Sequence, residues 1–213
     1  MELIDSRKNA FSDVSIPYFD QRAPSYHLDS LRWPWSWLRT SEAAAVDKMM
    51  GGVAGLKVLD LGCGAGFYAR RYVDKMPHRL IAVDLSAAMI DQITDSRIEG
   101  RVGDAAQIKI DENFDRIISA GLLEFVEDVK AVLVNARRHI QSNGQLILLV
   151  PINNFAGKLY RRFHQNNGIT ITLFNFNRLL TLATDSGWSM INHKFVYPFT
   201  LIATFTTNKN HAK

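Results

Sequence analysis

The chain has a single cysteine, Cys63, in 213 residues. One thiol cannot close an internal disulfide, so a disulfide-stapled scaffold is excluded and a reducing, cytoplasmic setting is expected. Long apolar runs are missing as well. Leu146 to Val150 and Phe195 to Phe205 fall short of the roughly 20 residues a spanning helix needs, and the second contains Pro198 and several threonines. The first residues carry charge and no apolar stretch, so no signal peptide is expected. No repeat and no low-complexity tract is present. No His, Cys and carboxylate cluster has the spacing of a metal site, so no metal is expected. Nor is one sign of charge dominant: a net charge of +4 permits an acidic partner without demanding one. The rest is an ordinary globular composition, at a length that makes one domain with a substantial core.

The most informative run is Lys57-Val58-Leu59-Asp60-Leu61-Gly62-Cys63-Gly64-Ala65-Gly66-Phe67-Tyr68. Val58, Leu59 and Leu61 predict a buried strand, and Phe67 to Val73 a helix start. Glycines between them let a ligand lie on bare backbone, because no Cβ intervenes. A dinucleotide fingerprint would place its third glycine where Phe67 stands. Asp60, inside the motif, would repel a phosphate but suits an ammonium group.

Beyond the loop, strands and helices alternate from Leu56 to Val150, which predicts parallel strands with helices on both faces. His78 to Asp84 is the second strand, and Gly103-Asp104-Ala105 follows a third. Phe114 to Ala120 is the fourth, and Asn143 to Val150 a turn and the fifth. A helix is expected from Ser86 to about Ser96, and another over Val129 to Ile140. His139, late in that helix, is expected at the surface or as a partner of the helix C-terminus. Asn177 to Ser186 predicts a further helix. Trp188 to Tyr197 and Phe199 to Thr207 predict two closing strands, joined too tightly for a parallel crossover. Upstream, residues 17 to 50 predict two helical pieces broken at Pro24 and Pro34. The second is expected to start at Thr40 or Ser41, either being a good cap.

These motifs, in order and spacing over roughly residues 56 to 151, resemble the class I S-adenosylmethionine-dependent methyltransferases. The segment Tyr18-Phe19-Asp20-Gln21-Arg22-Ala23-Pro24-Ser25-Tyr26 is similar to one preceding the core in the small-molecule, quinone and biotin-pathway branch. The resemblance implies a Rossmann-like doubly wound α/β fold. Its seven-stranded sheet is mostly parallel with an antiparallel final strand, and helices cover both faces. It implies S-adenosyl-L-methionine as cofactor, with residue roles that follow the chemistry. Gly62 and Gly64 would receive the amino-acid end, and Asp60 would orient their loop. Asp84 would hold the ribose hydroxyls. Asp104 and the Ala105 amide would meet the adenine edge, with Leu85 and Met89 on its faces. Ala120 would stand at the same rim, and Tyr26 would face the cofactor carboxylate or the acceptor. The competing expectation is that Asp84 and Asp104 only cap the segments that follow them.

Residues 1–55 are expected to form a helical cap, residues 56–213 the core, and residues 152–176 a lid insertion. Candidate general bases are His27, Glu124, His164 and Tyr18. Phe125 stands where many similar small-molecule enzymes carry histidine, which favours alignment over proton abstraction. The acceptor pocket is expected between residues 18–37 and 152–176. Tyr26, Trp33, Phe155, Tyr160 and Phe174 would be its walls, and Arg161, His164 or Asn154 would orient the acceptor. A small molecule is the expected acceptor. Basic and aromatic residues in Tyr160-Arg161-Arg162-Phe163 keep a lipid or quinone at a membrane surface, and RNA or DNA, as alternatives. The oligomeric state is left open.

Overall fold

The computed structural model describes residues 16–24 and 35–207. Helix α1 covers residues 16–24. It is followed by α2 (Trp35–Met50), β1 (Lys57–Leu61), α3 (Phe67–Val73), β2 (Arg79–Asp84), α4 (Ala87–Ile90) and β3 (Glu99–Val102). Then come β4 (Phe114–Ala120), a 3₁₀ turn (Leu123–Phe125), α5 (Val129–Arg138), β5 (Ile140–Pro151), α6 (Phe155–Asn166), α7 (Phe176–Asp185), β6 (Trp188–Val196) and β7 (Thr200–Thr207). The seven strands form one sheet in the order β3-β2-β1-β4-β5-β7-β6. Strands β1 to β5 are parallel, and β7 runs antiparallel to both β5 and β6. Among the described residues, no helix is long and apolar enough to cross a membrane.

The apolar runs build this sheet because both of its faces are covered. Alternate residues of each central strand enter opposite cores. Leu59, Leu61, Ile81, Val83, Leu146 and Leu148 pack with α5, α7 and Trp188. Val58, Leu80, Ala82 and Ile147 pack with Met50 of α2 and with Ala69 and Tyr72 of α3. The sheet reverses its winding between β1 and β4, and this opens a crevice at the carboxyl ends of those strands.

Four local expectations change. The helix after β2 is one turn long: Ser86 caps it by accepting from Met89 N, but the chain leaves the helix after Ile90. Asp95 then accepts from the Arg97 amide in a turn, a bond that competes with helix. Helix α2 begins at Trp35 rather than at Thr40 or Ser41. The hydroxyls of those two residues donate back to Ser36 O and Trp37 O, one turn earlier, and so do not cap. The Asn143-Gly144 turn is absorbed into β5 as an irregularity, where pairing to β4 jumps from Phe114↔Ile140 to Arg116↔Gln145. His139 is buried, 6% exposed. Its Nε2 accepts from the Ile110 amide and its Nδ1 donates to Asn135 O in the last turn of α5, so it is a buried link at the helix C-terminus and not a surface residue.

Candidate active site

The crevice is a cavity of about 600 Å³. The loops at the carboxyl ends of β1 to β5 contribute Gly62, Gly64, Asp84, Asp104, Ala120 and Pro151 to its lining. The glycine loop turns because Gly62, Gly64 and Gly66 adopt φ of 73°, 52° and 81°, which side-chain-bearing residues rarely hold. Asp60 lies beneath this loop, 2% exposed, and accepts from Ala69 N at 3.2 Å. It thus ties the end of β1 to α3 and orients the loop, and it is not among the lining residues. Burial pushes its carboxyl up to about 7, and the nearby Asp84 adds to this against the Ala69 bond.

Asp84 ends β2. Its Oδ2 accepts from Gly64 N at 2.8 Å and its Oδ1 from Ser86 N at 3.0 Å. Burial raises its pKa against those amide bonds. A carboxylate has about four lone-pair positions, and the amides of Gly64, Ser86 and Leu85 engage three of them, so one is left for a further donor. Asp104 is similar: Oδ1 accepts from Ala106 N and Oδ2 from Gln107 Nε2. Both acids therefore do cap local turns, and both also line the cavity. Leu85, Met89 and Ala105 line the same end.

Helix α1 crosses this rim. Ala23 packs with Ala65 and Met89, and Ser86 Oγ donates to Asp20 Oδ1 at 2.5 Å. On its other side α1 meets α6. Tyr18 Oη lies 3.4 Å from His164 Nδ1, and Arg22 donates to Asn167 Oδ1 at 2.9 Å. His164 is 7% exposed. The rings of Phe125, Tyr160 and Phe163 surround it at 5.5, 4.5 and 5.6 Å. Burial, helped by Arg22, pushes its pKa down to about 4, so it is neutral at physiological pH.

Glu124 sits on the turn after β4, 3% exposed and lining the cavity. Burial pushes its carboxyl up to about 8, and the charge of Glu42 adds to this. Among the described residues, its Oε2 is buried with no hydrogen-bond partner. Glu42, on α2, accepts from Thr200 Oγ1 at 2.5 Å. Burial raises its pKa, while the Thr200 bond and Arg39 oppose the rise.

Glu42, Arg39 and Tyr68 line the cavity without having been singled out from the sequence. A signal for Glu42 existed. It falls in the inward stripe of α2, where Leu38, Ala45 and Val46 are buried and Glu42 and Met49 half-buried, and where a charge is out of place. Other expected residues lie elsewhere. Phe174 is fully buried in the core beneath the site. Phe155 is 79% exposed on the outer side of α6. Asn154 caps α6 through Gly157 N and donates to Pro198 O. Arg161 is not among the lining residues. Tyr26, His27 and Trp33 lie outside the described residues.

Raised acids give stability a definite pH dependence. Glu124 and Asp60 hold their protons longer in the folded chain than in the unfolded one. The stability they contribute is complete below about pH 4 and is lost as pH rises through 7 and 8. His164 acts oppositely, since its contribution is present above about pH 6.5 and fades toward 4. Urea unfolding should therefore show the parent losing stability from pH 7 to 9. Glu124→Gln should remove about 1.4 kcal/mol of that loss. An unchanged slope would mean that Glu124 titrates as an ordinary surface acid.

Residues 59–148 match the family model described as a methyltransferase domain. Over 125 residues, 56% of this chain and 44% of the relative, the sequence is 26% identical to malonyl-[acyl-carrier protein] O-methyltransferase of Bacillus cytotoxicus. Over 157 residues, 68% of this chain and 61% of the relative, it is 26% identical to ubiquinone biosynthesis O-methyltransferase of Rhodopseudomonas palustris. The chain thus spans less than two thirds of the length of these relatives. Among solved structures, magnesium protoporphyrin IX methyltransferase of Synechocystis with bound S-adenosylhomocysteine shares the fold. Its TM-score is 0.74 at 14% identity, covering 93% of this chain and all of that one.

Proposed function

We propose that this chain, which carries a class I S-adenosylmethionine-dependent methyltransferase domain, methylates a small organic acceptor. The observation that carries this reading is the continuity of the cavity. One space runs from Asp104, Asp84 and the glycine loop to Glu124, His164 and Phe199, so two ligands can meet end to end above the strand tips. The lining fits S-adenosylmethionine. Carboxylate acceptors at the ends of β2 and β3 suit hydroxyl and amino donors, and Leu85 and Met89 offer apolar cover for a flat ring. When bound, that cofactor supplies a methyl group already activated on a sulfonium.

The work left to the protein is alignment. Holding two reactants in line can remove on the order of 7–11 kcal/mol of barrier. Asp84 and the Gly62 to Gly66 backbone fix one reactant, and Glu124, Tyr160, His164 and Phe199 face the other. Helices α1 and α6 act as a lid. They meet through Tyr18–His164 and Arg22–Asn167 over the mouth of the cavity, where they exclude water. A second reading is an acceptor with an apolar tail drawn from a membrane surface. It is supported by an apolar groove of about 310 Å³ beside α6, which shares Leu38, Tyr160, Phe163 and Phe199 with the main cavity.

Isothermal titration tests the core of the reading. S-adenosylmethionine and S-adenosylhomocysteine should each bind at one site, and NAD should not bind. Binding of NAD with no heat from either sulfur compound would overturn it.

A further inference from the structure

Helix α6 reverses the usual pattern of a surface helix. Its buried positions are Gly157 and His164, while Phe155 is 79% and Leu159 57% exposed. We propose that this outer face, with Trp37 and Tyr197 beside it, docks on an anionic lipid bilayer and feeds the cavity from it. The inference rests on the methyltransferase reading above, in its membrane-surface form, and names the partner surface of that same site.

Packing fixes the rotation of α6. A Cβ on Gly157 would run into the carbonyl oxygen of Ile152, so that side of the helix lies against the chain just after β5. Positions four apart share a helical face. Phe155 and Leu159 therefore stay outside together, and Lys158 and Arg162, both exposed, form the adjoining stripe. Asn154 caps the helix and donates to Pro198 O, which joins α6 to the turn between β6 and β7. In that turn Tyr197 is 79% exposed. Its ring centre lies 6.4 Å from that of Trp37 on α2. Trp37, Leu159 and Pro198 line one groove, so the exposed side chains of three elements form one surface. Large apolar residues scattered singly mean little, but a contiguous group marks an interaction site.

Charge identifies the partner. Residues 129–213 carry ten Lys or Arg and one acid, Asp185, whereas residues 1–128 carry fifteen and twenty. The first group supplies β5, β6 and β7, and the second β1 to β4. The strand order therefore sets a basic flank against an acidic one, a separation that the net charge conceals. Most of the docking face belongs to the basic flank. Residues 152–167 and 194–199 contain Lys158, Arg161, Arg162 and Lys194 and no Asp or Glu. Cations beside protruding aromatic and aliphatic groups suit the boundary between anionic headgroups and acyl chains. A nucleic acid would engage the cations but leave Phe155 and Leu159 in water.

The apolar groove gives this face a purpose. Trp37, Leu159 and Pro198 line its outer part, and Leu38, Tyr160 and Phe199 its junction with the cavity. An alkyl tail can follow it from the bilayer to the reaction space without crossing water. The head of an amphiphilic acceptor then reaches the cavity while its tail stays in apolar surroundings.

The test sediments the whole chain with vesicles of phosphatidylcholine, alone or mixed with phosphatidylglycerol. The mixed vesicles should bind at least about tenfold more tightly than the neutral ones, and less so as salt rises. Lys158→Gln combined with Arg162→Gln should weaken that binding by roughly ten- to thirtyfold, the effect of two cations near an anionic surface. Phe155→Ser should weaken it by roughly tenfold, and should still do so in high salt. These positions are exposed, so melting temperature and S-adenosylhomocysteine affinity should match the parent in every variant. Failure of both vesicles to bind the parent overturns the proposal. So does binding that all the variants leave unchanged, since the membrane contact would then lie elsewhere. A short single-stranded RNA bound as tightly as the mixed vesicles, with no effect of Phe155→Ser on either, overturns it in favour of a polyanion site. A parent that binds vesicles but not S-adenosylhomocysteine would instead overturn the methyltransferase reading and leave the docking face in place.

Discussion

Replacing Gly62 with alanine is expected to lower the melting temperature by roughly 5–15 °C and to abolish measurable S-adenosylhomocysteine binding. Two costs combine. Gly62 holds φ at +73°, where a Cβ costs about 1–2 kcal/mol. That Cβ would also stand 2.7 Å from Leu122 Cβ, with Cδ1 and Cγ at 2.8 and 2.9 Å. The clash is with the root of the side chain as well as its tip, so the backbone must give. Overpacking of this kind adds about 1–3 kcal/mol. Gly62 and Leu122 line the cavity from β1 and from the loop after β4, so relief of the clash moves both of its walls. Gly52→Ala is the control, because a Cβ there meets nothing within 4 Å. Calorimetry and titration on both variants decide the matter. A Gly62→Ala protein that melts and binds like the parent would show that close backbone approach is not what this loop is for.

The parts of the molecule that were legible share a physical cause. Parallel strands buried on both faces must be continuous apolar runs, and their turns must carry glycine or acids. Thus β1, β2 and β4, the glycine loop, and the places of Asp84 and Asp104 follow from residue type alone. Helical phase was harder to read. The stretch after Pro151 is rich in aromatics, but α6 turns Tyr160 and His164 inward and leaves Phe155 outside. Composition cannot tell these apart; a 3.6-residue period can. Phe174 misled for a different reason. A backbone bridge to Ile152 continues the sheet past Pro151 and carries that ring into the core. Glu42 shows the limit in the other direction. A charge in the inward stripe of its helix marks the acid as out of place, but its meaning depends on Thr200, 158 residues away. Of the two places expected for His139, the surface one fails because a distant amide, that of Ile110, draws the ring inward, while the helix C-terminal one holds through Asn135 O.

Asp84→Ala should weaken S-adenosylhomocysteine by roughly ten- to a hundredfold. The loss has a direct part and an indirect part, and they differ in their signatures. Directly, if Asp84 holds the ribose as proposed, its hydroxyls would lose a carboxylate, and hydrogen bonds to a charged group contribute about 1.5–3 kcal/mol. Indirectly, Gly64 N and Ser86 N lose the acceptor that joins the glycine loop to the start of α4. The indirect part appears as a lower melting temperature of the ligand-free protein, by a few degrees for about 1 kcal/mol. The direct part appears only in affinity. If Asp84 were nothing but a cap, the variant would melt earlier and bind normally once folded. If it is the ribose acid, affinity falls well beyond what the change in stability accounts for. Asp111→Ala, in an exposed turn, supplies the baseline for removing an acid without a site. Titrations of parent, Asp84→Ala and Asp111→Ala, each paired with a melting curve, separate the two roles. An Asp84→Ala affinity within twofold of the parent would move the ribose contact away from β2 and leave Asp84 as a brace for the loop.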